Sequence, residues 1–211
     1  MPKLNREIII SAQNKIMELL KAKEPDLIKI RESDQSIAIR WQAFIGVVLP
    51  TQLQAIKGLG FAEDQLGLME FNRQVIQASA EDRELEKINC DKWDFLLEKA
   101  FGVTEAPRID LKTARALVTD ITQAMTVEFF LEKIDKLKEG FSKEASMLDK
   151  RQELLEIIVP VHKLIMERYG FLGDLGYVKA QRALVDFYHD PVIQEQSIKA
   201  QQTVFARANL L

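Results

Sequence analysis

The side chains of this sequence best suited to building a polar site are its two histidines and three tyrosines. All fall in one stretch, as His162, Tyr169, Tyr177, Tyr188 and His189. Imidazole and phenol rings carry a polar tip on an apolar body, so helices that bring several together can line a pocket that holds and orients a small molecule. These five are therefore the candidate ligand-binding residues. Both tryptophans, Trp41 and Trp93, lie in the other half of the chain. The competing expectation is ordinary packing, because Tyr is frequent at half-buried helix positions and a lone helical His is more often packed than reactive.

Other site chemistries find few residues to use. The chain has no Glu-x-x-His pair on a helix, no His-Glu-x-x-His and no Cys-x-x-Cys, and a lone Cys90 supplies one thiolate at most. His189-Asp190 has no further histidine beside it to complete a ligand set. Gly58-Leu59-Gly60 lacks the later glycine and the preceding strand of a phosphate loop, and no Gly-x-Ser-x-Gly elbow occurs. Hence no catalytic residue, metal or cofactor is nominated.

Charge narrows the partners. The formal net charge is −3, and lysines alternate with acids, as in Glu132-Lys133-Ile134-Asp135-Lys136. A phosphate backbone is recognised by a continuous basic face, which this mixing prevents, so nucleic acid is not an expected partner. No apolar run approaches the roughly 20 residues of a bilayer crossing. The amino-terminal stretch has only the short patch Ile8, Ile9 and Ile10, with no small-residue cleavage site. A soluble, cytoplasmic protein is expected.

The elements that position these residues read as helices throughout. Ala114, Leu117, Val118, Ile121, Met125, Leu131, Ile134 and Leu137 recur at three- and four-residue steps, the stripe of an amphipathic helix on a core. Asp110 and Asp190-Pro191 offer caps at helix starts, Ser79 offers one before Leu85, and Gly140 suits a left-handed stop. The spacing predicts helices over 4–22, 34–49, 50–59, 65–78, 81–100, 111–139, 143–159, 160–169, 175–188 and 191–207. Pro50 and Pro160 are each expected either to kink a buried helix or to open a new one. On the 111–139 helix, adjacent Phe129 and Phe130 point about 100° apart, so one can face the core while the other meets a protein partner. Both are candidate partner-binding residues. Membrane-surface contact is disfavoured for this stretch because its acids cancel its lysines.

Compared with itself, the chain shows a further pattern. When Ser36 is laid over Ser146, Gln42 meets Gln152, Pro50 meets Pro160 and Gly60-Phe61 meets Gly170-Phe171; after a one-residue gap Gly67 meets Gly176 and Arg73 meets Arg182. The expected fold is all-α, a bundle or array of about ten helices made from two diverged copies of a helical unit of about 100 residues, spanning 1–103 and 109–211. The shared residues are architectural, since prolines and glycines shape helices and carry no reaction chemistry. The leading functional expectation is a non-enzymatic helical module that binds a protein partner. The alternative is a small-molecule binder or enzyme using the Tyr/His residues of the second copy.

Overall fold

The computed structural model describes residues 3–105, 108–142, 144–173 and 175–210, except the side chains of Gln65 and Leu66. Among the described residues all regular structure is helical, in ten elements: α1 (Arg6–Lys21), α2 (Glu24–Arg31), α3 (Ile37–Ile56), α4 (Gln65–Ser79), α5 (Arg83–Phe101), α6 (Leu111–Thr126), α7 (Glu128–Gly140), α8 (Met147–Glu167), α9 (Gly176–Val185) and α10 (Pro191–Arg207). The chain forms two compact units. One comprises Met1–Asp34 and Ala43–Thr104, the other Gln35–Gln42 and Glu105–Leu211. Two residues of the expected boundary segment, Ala106 and Pro107, lie outside the described residues.

In the first unit α5 is the organising helix, packing against α1, α2 and α4. Its apolar stripe of Leu85, Leu96, Leu97, Ala100 and Phe101 is buried, and the Phe101 and Trp93 rings flank Phe44 at 5.4 and 6.5 Å. Asp82 caps its start by accepting from the Glu84 and Leu85 N–H groups. That carboxylate takes the place expected for Ser79, whose hydroxyl instead donates back to the Val75 carbonyl inside α4. Gly102 ends α5 at φ 70°, where its N–H reaches the Glu98 carbonyl and the Val103 N–H reaches Leu97. A Cβ is disfavoured at that φ, which is why the stop falls on glycine.

In the second unit α6 carries the predicted stripe: Ala114, Leu117, Val118, Ile121 and Met125 are buried. It packs against α7, α8 and α10, while α9 packs on α8. Asp110 and Asp190 cap α6 and α10, and Ser146 forms a reciprocal capping box with Asp149 at the start of α8.

Other helix expectations are also corrected. Pro50 and Pro160 lie inside single helices of 20 and 21 residues instead of separating two helices. Each proline is exposed, so the carbonyl that loses its helical donor faces solvent, while buried residues on both sides hold the helix together. The expected 111–139 helix breaks at Val127, which is extended at φ −72° and ψ 142°. The β-branched pair Thr126-Val127 weakens the helix there, and the Thr126 hydroxyl donates to the Thr122 carbonyl, competing with its normal ladder partner. An unpredicted helix, α2, forms over Glu24–Arg31 on only two buried residues, Leu27 and Ile30, with Pro25 in its first turn. Gly140 is the last helical residue of α7, outside the left-handed region, and the chain leaves through an extended Phe141.

Candidate functional site

The second unit gathers three of the five candidate ligand-binding residues. His162 lies on α8 and Tyr177 on α9, helices that pack together, and their rings stack 6.0 Å apart at 21°. Trp41, at the start of α3, meets Tyr177 edge-on, at 5.2 Å and 89°. Gln181, one turn further along α9, accepts from the Tyr188 hydroxyl at 3.3 Å and also engages the Tyr177 hydroxyl. The remaining two are elsewhere. Tyr169 donates to Asp120 at 2.9 Å, a carboxylate it shares with Arg168, and His189 is exposed.

The electrostatics of this cluster are those of a dry interior. His162 is half-buried as a residue, yet both ring nitrogens are sealed from solvent and have no hydrogen-bond partner among the described residues. Burial therefore disfavours the imidazolium and pulls the His162 pKa down to about 4. The same desolvation pushes the Tyr188 phenol up to about 12 and Tyr177 further in the same direction. At neutral pH the cluster holds one neutral imidazole and two un-ionised phenols. A base this weak beside acids this weak is poorly matched to proton transfer near pH 7.

A second buried polar pair sits in the first unit, where Lys92 on α5 donates from Nζ to the Gln13 Oε1 on α1 at 3.0 Å. Both are buried, and Gln13 Nε2 has no partner among the described residues. Burial lowers the lysine pKa to about 8, with the nearby Cys90 opposing the shift. Neither residue follows from a sequence pattern, because each occupies the apolar stripe of an otherwise ordinary amphipathic helix.

The surface is more distinctive along α7 and α8. Phe129 is 68% exposed, Phe130 only 3%. Phe130 packs inward with Leu131 and Ile134 and so leaves the set of residues able to meet a partner. Val127 is also exposed. The Lys133 ammonium lies 4.7 Å from the Phe129 ring centroid, and the same Lys133 lines an open groove of about 630 Å³ between α7 and α8. Lys136 and Leu137 complete the α7 wall. The α8 wall is Glu156, Ile157, Pro160, Val161 and Leu164, of which Leu164 is 66% exposed.

Among the described residues no group of three or more His, Cys, Asp or Glu side chains is arranged to hold a metal. No helix among them is long and apolar enough to cross a membrane. The class these observations define is an all-helical protein with an apolar groove on one unit. No protein-family model, curated protein or solved structure significantly matches the chain.

Proposed function

We propose that the chain is a non-enzymatic helical interaction module, soluble and cytoplasmic, that binds a protein partner through the exposed face of α7 and α8. The observation that carries this reading is the exposure of Phe129 beside the groove. A phenylalanine two-thirds exposed, next to an exposed Val127 and joined through Lys133 to an apolar channel, is surface that water solvates poorly and a partner would cover. Aromatic side chains of this kind, bordered by charge, commonly dominate interface energetics.

The test compares the unmodified protein with Phe129→Asp in co-purification from the native source, with Ile198→Asp as a control at an exposed apolar residue on α10. Phe129→Asp should weaken partner capture by about 30-fold or more, as loss of an interface anchor does. The melting temperature should stay unchanged in both variants. Full retention of every partner by Phe129→Asp would overturn the reading.

We also infer that the two halves are diverged copies of one five-helix unit. Residues at matching positions behave alike. Ser36 and Ser146 both accept from a backbone N–H three residues on, Pro50 and Pro160 both lie inside long helices, and Gly60 and Gly170 share φ +87°. The fifth helix of each half begins at an aspartate cap, Asp82 or Asp190, which also binds an arginine of the first helix, Arg6 or Arg115.

A further inference from the structure

Two core positions of the first unit carry polar side chains whose charge the described residues do not balance. On α1, Gln13 follows Ile9 by four residues and precedes Ile16 by three, so it shares their buried face. On α5, Lys92 precedes the buried Leu96 by four residues and likewise belongs to the core. Gln13 is 1% exposed and Lys92 3%. Bulk water therefore solvates neither.

The pair has an excess of donors. Both the ammonium and the amide nitrogen can only donate, and the bond between the two side chains runs from Nζ to Oε1 at 3.0 Å. That bond fixes the amide, since turning it over would set Nε2 against the ammonium, donor against donor. Nε2 is left buried with no acceptor among the described residues. No carboxylate among them pairs with Lys92 either; the charged group that acts on it is Cys90, two residues away on α5 and so on a different face. Because Oε1 and Nε2 belong to one amide, the unmatched N–H groups lie within about 5 Å of the positive charge. A buried charge is ordinarily paired and a buried amide ordinarily hydrogen-bonded, so this arrangement calls for an acceptor that carries negative charge.

We propose that a small monovalent anion, a halide such as chloride, binds between α1 and α5 at Gln13 and Lys92. It accepts from Nζ and Nε2 together and neutralises the ammonium. A halide imposes no direction on its donors, so it suits two donor groups held by separate helices, whereas a phosphate or a carboxylate brings several oxygens that each need a partner. Water is the other species small enough to enter a helix interface. It would accept from both groups but leave the buried charge uncompensated. The site is structural: the ion ties α1 to α5 and takes part in no reaction, and it is independent of the interaction reading for α7 and α8.

The experiment is thermal unfolding of the full chain at neutral pH and fixed ionic strength, with sodium chloride replacing sodium gluconate, whose anion is too large to enter the core. A ligand that binds only the folded state raises Tm along a saturable curve, here by about 3–6 °C at ten times the half-saturating concentration. Gln13→Glu supplies the missing negative charge covalently and exchanges the orphaned N–H groups for an acceptor. It should melt no lower than the parent in gluconate and should lose the chloride response. Lys92→Met combined with Gln13→Leu removes every donor and should lose the response as well. A Tm that is the same in the two salts overturns the proposal and leaves water as the acceptor. A chloride response that persists in Gln13→Glu also overturns it, because the ion then acts at the surface. Should Gln13→Glu fail to fold, the folded parent must still broaden the chloride NMR line more than the double variant does; equal linewidths refute the site.

Discussion

Arg115 and Asp190 are joined by two side-by-side hydrogen bonds, Nε to Oδ1 at 3.1 Å and Nη2 to Oδ2 at 2.6 Å. The same Asp190 Oδ1 accepts from the Val192 and Ile193 N–H groups and so caps α10. One carboxylate thus closes a helix end and ties α10 to α6. The Arg115 bond and the cap both favour the ionised form and hold the Asp190 pKa below the usual carboxylate range.

Asp190→Ala should therefore destabilise the protein by about 2 kcal/mol, the sum of a lost cap and a lost charge-assisted pair. Asp190→Asn, which can still cap, should lose less. The pH dependence has a definite sign. A carboxylate whose pKa is depressed on folding stabilises at neutral pH, and that contribution disappears as pH falls below about 4. Urea unfolding of the three proteins at pH 7 and pH 3 checks this, since their stabilities should converge in acid; equal stabilities at pH 7 would contradict it.

The two ends of this interaction differ in how far the sequence reveals them. Asp190-Pro191 announces a helix start locally, by residue type, and α10 begins there. Arg115 has no such signal, because its pairing is set by how α6 meets α10. The candidate cluster divides the same way. His162, Tyr177 and Tyr188 stand out by residue type, but Trp41 reaches Tyr177 from the start of α3, and no spacing rule links positions so far apart. The prolines mislead for a related reason: a proline's effect depends on whether its helix face meets solvent, a tertiary property that local sequence does not carry.

His162 makes the folded protein sensitive to mild acid. With its pKa drawn down to about 4 by burial, the folded state resists a proton that the unfolded chain accepts near pH 6.5. Stability is fully retained above about pH 6.5 and declines as pH falls towards 4, by on the order of 3 kcal/mol. His162→Phe keeps an aromatic ring against Tyr177 and removes the titration. The difference in unfolding free energy between the two proteins should grow between pH 6.5 and 4.5; a constant difference across that range would show that His162 is solvated.

Lys92 acts at the other end of the pH scale. Its folded pKa of about 8 lies below the unfolded value near 10.5, so below pH 8 the protein keeps a buried ammonium that donates to the neutral Gln13. Stability should rise as pH increases from 8 to about 10.5, because the folded state gives up that proton first. Replacing the pair with Lys92→Met and Gln13→Leu should stabilise the protein at pH 7 by about 1–4 kcal/mol, as apolar replacement of buried charge often does. It should also abolish the alkaline rise. A double variant less stable than the parent at pH 7 would mean that the lysine makes a favourable contact beyond Gln13.

Two glycines test the relation between the halves most directly. A Cβ added at Gly67 would lie 2.0 Å from the Ala62 carbonyl oxygen, and one at Gly176 would lie 2.2 Å from the Phe171 carbonyl oxygen. In each case the obstacle is the backbone five residues earlier, which cannot swing aside as a side chain can. Both sites lie where the chain returns from a turn into the fourth helix of its half, α4 or α9. Gly67→Ala and Gly176→Ala should each cost about 1–3 kcal/mol or more, as forced overpacking does. Gly46 provides the opposite case, because a Cβ added there would meet no described atom within 4 Å beyond the backbone of its own helix, α3. Gly46→Ala should stabilise the protein by roughly 0.5–1 kcal/mol through helix propensity alone. Thermal and urea unfolding of the three single variants give the comparison. Comparable losses at positions 67 and 176 with a gain at 46 support a close turn shared by the two halves; a tolerated alanine at only one of the two would mean that the halves reach their fourth helix by different backbone paths.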